Sequence, residues 1–366
     1  MKLLSLQYLR GIAALLIVFY HVSVQADRLG YHGNPFQFFS SGVDIFFVIS
    51  GFVMWYTTFD RDIGTQEFFR HRIIRVVPLY WLITTFYLVT MSIQPNLLRS
   101  AKFDLAHVIK SYLFIPAPHP ISGVMFPLVI QGWTLNYEMF FYALFGITLL
   151  FAQRSRALII IGLLVFLVGL PLLAPLKNPL IQFYTSGILL EFAFGVAIGY
   201  LYTNGLSIPR PVAGFMVTAG AFALCLALKF DMSALPRSVY AGIPSLLIVA
   251  GAIFYERSGG VRALLLPTLL GDASYSLYLS HGAVLSAYGR LWHASGGPDM
   301  STLVIVSVFY AVAVILAVIF GIMLYRFVEK PMLGKLSALN RRKAPRTDMA
   351  TMPGKSALAA DSRTQP

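Results

Sequence analysis

Cysteine occurs once in this sequence, at Cys225. That excludes a disulfide framework and a cysteine-built metal site, and inside its apolar run Cys225 reads as a small buried side chain. Charge is scarce as well: 12% of the 366 residues are charged, against about 25% in an ordinary soluble chain, and 57% are hydrophobic. No soluble core absorbs that much apolar surface. Acidic residues number 15 against 28 basic ones, leaving a net charge of +13. Such an excess also marks nucleic-acid binders, but here it falls in short loops and in the C-terminal tail, which is how membrane topology is written, and no nucleic-acid partner is expected. Neither a His-Glu-x-x-His nor a paired His/Cys spacing occurs, so no metal site and no permanently bound cofactor are expected.

What the chain does have is apolar runs of the length that crosses a bilayer, about 17 to 25 residues. Ten are legible, near 6–26, 40–59, 73–94, 128–152, 156–175, 180–203, 211–229, 239–255, 268–290 and 302–327. The fold class is therefore all-α, a polytopic integral membrane protein of about ten transmembrane helices with both termini on one side. Placing the termini in the cytoplasm puts 20 of the 28 Lys and Arg residues inside and 8 outside, so both termini are expected to be cytoplasmic. The first 26 residues resemble a cleavable leader, with "VQA" at 24–26, but removal would discard Arg10 and His21, so a retained first span is expected. Between the third and fourth spans, "FDLAHVIKSYLF" (103–114) has helical apolar spacing and predicts a helix lying on the outer membrane surface, either for packing or as a rim for substrate. From 336 to 366 the sequence is polar, basic and without apolar period, which predicts a disordered cytoplasmic tail after a transmembrane domain of residues 1–335.

Ionisable groups inside spans cost roughly 2.5–3.5 kcal/mol each at a helix centre, so Arg10, Asp44, Glu138 and Glu191 together carry a penalty on the order of 10 kcal/mol. Each needs a partner or a task. Arg10 and His21 are eleven residues apart, about 16 Å of helix rise and about 20° from whole turns, so they share one face of the first span. By chain direction, His21, Asp44, Glu138 and His281 fall in the outer half of the membrane. Arg10, Arg70, Arg72 and Arg75 fall toward the inner face. Glu191 reads either as a helix-to-helix bond or as a functional acid, and the arginine cluster either as a topology signal or as an anion site.

Four segments then carry a resemblance. Arg10 with His21, "FFVISGF" (46–52), "RIIR" (72–75) and "WTLNYEMFFY" (133–142, with Trp133 and Glu138) occur in the order seen in membrane acyltransferases of the acyltransferase 3 type. "LLGDASYSLYLSH" (269–281) and "RFVEKP" (326–331) resemble the same family, most of all its members that O-acetylate exopolysaccharide and lipopolysaccharide. Thr134 stands where serine is more usual. The resemblance spans residues 1–335, and the esterase-like extra domain that some members carry is not expected here.

The resemblance implies transfer of an acyl group, acetyl most often, from cytoplasmic acyl-CoA as co-substrate to a hydroxyl of an exported polysaccharide or lipid-linked glycan, in the inner (cytoplasmic) membrane. Arginine forks suit the phosphates of coenzyme A, which assigns donor binding to Arg10, Arg72 and Arg75. A hydroxyl attacking a thioester needs a base, and His21 titrates near neutrality. Glu138 or Asp44 would orient it; Trp133, His281 and Ser50 complete the candidate set as acceptor contacts or supports. Direct transfer is preferred to a covalent intermediate on Ser50 or Ser274, since no Gly-x-Ser-x-Gly elbow lies there. A carrier of a lipid-linked glycan or organic acid, without acyl transfer, is the competing reading, because polar stripes serve transport equally well.

Overall fold

The structure, a computed structural model, describes residues 3–32, 36–61, 63–94, 103–229, 235–298, 300 and 302–343. Of the expected tail, 336–343 continues a helix and 344–366 lies outside the described residues, as does 95–102 of the external segment. Thirteen α-helices occur among the described residues. They are α1 (Leu4–Arg28), α2 (Gly42–Thr58), α3 (Thr65–Ile93), α4 (Leu105–Tyr112), α5 (Trp133–Thr148), α6 (Gln153–Leu173), α7 (Pro179–Tyr184), α8 (Leu189–Thr203), α9 (Arg210–Lys229), α10 (Ile243–Gly259), α11 (Leu265–Ala294), α12 (Leu303–Leu324) and α13 (Lys330–Lys343). Wider π-helical turns lead into α10 (Ser238–Gly242) and join α12 to α13 (Tyr325–Glu329).

Eight stretches among the described residues are long and apolar enough to cross a membrane, which makes the chain a multi-pass membrane protein. Two of the ten runs read from sequence fall outside that set. The run at 128–152 yields a helix of only 16 residues, because Ile130–Gly132 is a 3-10 turn; at 1.5 Å per residue α5 spans about 24 Å, short of the roughly 30 Å hydrocarbon layer. The run at 268–290 is long enough, as the 30-residue α11, but Asp272, Ser274, Ser276, Ser280 and His281 dilute its hydropathy. Both helices are internal. α11 packs between α1 and α12, and α5 contributes Phe141 and Phe145 to the largest apolar cluster. Peripheral helices show the opposite exposure: Cys225 on α9 is exposed rather than buried, since the outer face of this helix has no protein neighbour.

Close backbone approach holds the central helices in register. A side chain on Gly51 of α2 would meet the backbone of Phe192 on α8, and one on Gly195 would meet that of Val48. Gly271 of α11 lies against the backbone of Gln7 in the same way. Glycine allows the contact where any Cβ would hold the helices apart. The first amides of α1, which no helical carbonyl can satisfy, donate to the Glu256 carboxylate, Leu4 N at 2.9 Å and Ser5 N at 2.8 Å. Glu256 near the end of α10, Thr203 bonded to Trp55 and the start of α1 thus share one end of the bundle. Ser40, Asp44 and Arg237 share the other.

The helix expected at 103–114 is α4. Asp104 caps it by accepting from His107 N at 2.7 Å, and three bonds pin it to α3: Tyr80 to Ser111 O, Trp81 Nε1 to Tyr112 O and Thr85 with the Tyr112 hydroxyl. Its apolar stripe, Leu105, Ile109 and Leu113, faces away from the protein and is exposed, as a helix lying on lipid requires.

Candidate active site

α1, α2, α3, α5 and α11 enclose a cavity of about 160 Å³. Each of the four sequence signatures reaches it: Arg10 from α1, Ser50 from α2, Arg72 and Arg75 from α3, Glu138 from α5. Residues 128 positions apart in the chain are thereby brought to one cavity, because α2 packs against α1 and α8, and α5 against α2, α3 and α8. A second space of about 270 Å³, lined by Gln7, Asp272, Tyr325, Lys330 and Leu333, adjoins it, and Arg10 and Arg75 line both. The two arginines form the neck between them.

The three cations are not equivalent. Arg75 is paired with Glu329, whose side chain is 1% exposed and also accepts from Ser276 Oγ at 2.6 Å. Its charge is already balanced. Arg72 donates one bond, from Nη2 to Thr57 Oγ1 at 3.3 Å, and lies 5.7 Å from the centre of the Phe68 ring, while its buried Nε has no partner. Arg10 donates no hydrogen bond to any described residue, although the carboxylates of Glu329, Glu138 and Asp272 lie within electrostatic range. A partly buried guanidinium with unused donors attracts an anion, and Arg10 and Arg72 therefore supply the cavity's available positive charge.

Glu138 stands opposite. Its Oε1 accepts from the Tyr142 hydroxyl one turn along α5 and from Ser50 Oγ at 3.3 Å. Ser50 is thus a support of Glu138. Ser274 Oγ lines the cavity while donating to Gly271 O at 2.8 Å. Above Glu138 the cavity ends at a hydroxyl cluster: Thr134 Oγ1 and the Tyr278 hydroxyl are 2.9 Å apart, and both lie within 3.1 Å of Gln131 O. Three contacts share two protons, so two bonds form at a time.

Beyond Tyr278, whose ring centroid is 5.9 Å from that of His281, lie the two histidines. His281 Nε2 is 3.2 Å from His21 Nδ1; His281 is fully buried and His21 half-buried. Neither lines the cavity. Asp44 is elsewhere again: both of its oxygens accept from Arg237, at 2.9 and 2.7 Å, and it has no exposure. Glu191 is buried beside this pair, in room left by the missing side chain of Gly242. Trp133 stacks edge-on with Phe47 and Tyr137 at the start of α5.

The candidate residues thus resolve into three groups. Arg10, Arg72, Arg75, Ser50 and Glu138 share a cavity; His21 and His281 form a pair about 16 Å along α1 from Arg10; Asp44 forms a bidentate pair with Arg237. Neither acid expected beside His21 donates to or accepts from it. Sequence reasoning passed over Glu329, Tyr142, Tyr278 and Arg237. Glu329 carried a signal as an acid at the C-terminal end of the last apolar run, and Tyr142 and Tyr278 lie within segments that carry the resemblance; Arg237 had none.

Residues 3–326 match the family model of the acyltransferase 3 type, described as an acyltransferase domain. The chain is 36% identical over 312 residues to the exopolysaccharide production protein ExoZ of Rhizobium meliloti, covering 84% of this chain and 93% of that protein. It is 24% identical over 363 residues to the O-acetyltransferase OatA of Staphylococcus aureus, covering 89% of this chain and 56% of that longer protein. To the acyltransferase MdmB of Streptomyces mycarofaciens it is 23% identical, covering 95% of this chain and 97% of that protein. No solved structure matches it. With the family model spanning nearly the whole helical bundle and the four signatures meeting at one cavity, the chain belongs to the acyltransferase 3 family and is a multi-pass membrane acyltransferase.

Proposed function

We propose that the protein transfers an acyl group, acetyl in the first instance, from cytoplasmic acyl-CoA to a hydroxyl of an exported polysaccharide or its lipid-linked precursor. The observation that carries this reading is the pair of under-bonded guanidiniums, Arg10 and Arg72, in a cavity whose neck opens onto a second space holding Lys330. Phosphates of the donor would lie at the neck, against Arg10 and Lys330, with the acyl arm directed inward past Arg72. Both termini would be cytoplasmic, in the inner membrane, and residues 1–335 would form the catalytic domain. The polysaccharide acceptor rests on the name of the 36%-identical relative and on the family.

In the transfer, the acceptor oxygen attacks the thioester carbonyl carbon as its proton passes to His21. The C–O bond forms, the C–S bond breaks, and the thiolate takes up a proton to leave as coenzyme A thiol. Reaction requires the acyl end to pass the Tyr278 cluster, which separates the cavity from His21. Purified protein in lipid nanodiscs, given labelled acetyl-CoA and the exopolysaccharide of its host, is expected to form a labelled ester. His21→Ala should abolish the ester while leaving the fold intact. Full activity in His21→Ala removes the assigned base, and glycan movement across the bilayer without ester formation would support a carrier instead.

A further inference from the structure

The histidine pair holds more information than its proximity. His21 Nδ1 is 2.9 Å from Ile17 O, and His281 Nδ1 is 3.2 Å from Leu277 O. A backbone carbonyl can only accept, so each Nδ1 carries hydrogen and each Nε2 of the neutral pair holds a lone pair. His281 Nε2 is directed at His21 Nδ1, and the His21 Nε2 lone pair has no partner among the described residues. His21 therefore presents one basic atom outward, while its single Nδ1–H is shared between Ile17 O at 2.9 Å and His281 Nε2 at 3.2 Å. That is the position an acid occupies behind the histidine of a hydrolase triad, here filled by a second imidazole.

We infer that His281 is the positioning partner of His21, accepting from its Nδ1–H and so stabilising the single added proton that His21 Nε2 takes from the acceptor hydroxyl. The inference rests on the assignment of His21 as base. Protons balance within the two rings: Nε2 of His21 gains one, the His21 Nδ1 proton bridges Ile17 O and His281 Nε2, and His281 keeps its own Nδ1–H on Leu277 O. Charge then spreads over both rings, whose centroids are 4.8 Å apart, and a second proton is opposed by the first. No acid competes for this role. The other titratable and charged groups facing the pair are Tyr20 and Arg28 on α1 and Tyr278 on α11, and among the described residues no carboxylate acts on either ring. When the ester has formed, the proton on His21 Nε2 is the one available to the departing thiolate.

The pair is tested by histidine side-chain 15N NMR on the full chain in nanodiscs, with kinetics on two variants. Lowering pH should move the His21 and His281 resonances together, with one midpoint and uptake of one proton; a His281 signal that stays fixed while His21 titrates overturns the inference. His281→Phe, which removes the acceptor, should lower kcat about 100-fold, within the range of general-base contributions, and leave KM for acyl-CoA unchanged. His281→Gln keeps an acceptor near Nδ1 that cannot take the proton and should fall between the two; it also serves if His281→Phe fails to fold. Inactive His21→Ala with fully active His281 variants defeats this inference alone, whereas fully active His21→Ala defeats the base assignment beneath it.

Discussion

Replacing Glu329 by glutamine should weaken the fold and tighten the donor site at once. Glu329 is 1% exposed, its two oxygens occupied by Arg75 and Ser276, and Arg75 keeps 31% of its side-chain surface. Glutamine preserves an acceptor for Arg75 and a polar group for Ser276, so the loss is the difference between a charge-assisted and a neutral bond, about 1–2 kcal/mol, softened by the water that reaches Arg75. Truncation to alanine leaves the guanidinium uncompensated and should cost more, about 3 kcal/mol, the lower end for broken buried pairs because of that exposure. In either variant Arg75 joins Arg10 and Arg72 as an available cation at the neck. A single added contact to phosphate of about 1.4 kcal/mol is a tenfold fall in Kd for coenzyme A. Thermal unfolding of ligand-free protein and isothermal titration with coenzyme A read the two effects separately. A Glu329→Gln protein with unchanged unfolding and unchanged or weaker coenzyme A binding would refute the view that Glu329 holds Arg75 back.

Arg10→Gln should raise KM for acyl-CoA by about 10- to 100-fold, the worth of one or two charge-assisted bonds, with a smaller rise for Arg72→Gln; unchanged KM in both would reduce these arginines to topology signals. Asp44→Asn should destabilise by about 2–4 kcal/mol through the unpaired Arg237 yet leave kcat near the parent value in protein that folds, as thermal unfolding and initial rates will tell; a collapse of kcat in stable protein would return Asp44 to the chemistry. His107 on α4 is buried with both ring nitrogens unpartnered, and burial, then the neighbouring His119 ring, hold its pKa below the ordinary 6.5. The folded state then binds fewer protons than the unfolded one, so the docking of α4 is fully stable above about pH 6.5 and weakens as pH falls below it. Hydrogen exchange in α4, corrected for intrinsic rate, should accelerate from pH 7.5 to 5.5 and lose that dependence in His107→Gln.

Much of this fold was legible because the bilayer imposes a length and an apolar composition on each crossing. The exceptions are instructive. α11 escapes a hydropathy criterion because it carries the polar residues that line the interior, and α5 because a 3-10 turn takes the place of its first residues. The shared face of Arg10 and His21 was also readable, since helical periodicity fixes angle within one element, and both side chains do lie toward α11. Which charge neutralises which was not. Asp44 meets Arg237 at a separation of 193 residues and Arg75 meets Glu329 at 254, and no local pattern encodes such a match. The same three arginines therefore looked alike in sequence and differ in space by whether a distant carboxylate reaches them.

The Thr134, Tyr278 and Gln131 cluster has a consequence for the cell as well as for the reaction. A bundle with water-accessible arginines near one end and histidines near the other is one breach away from conducting protons down the electrochemical gradient. Two hydroxyls and a carbonyl, with Gln131 seated against Gly282, interrupt the route in this structure. An enzyme built this way would work as an airlock, admitting an acyl arm but never a continuous file of water. Enlarging that seal, as in Tyr278→Ala, should be felt first as a leak in the membrane potential of the host.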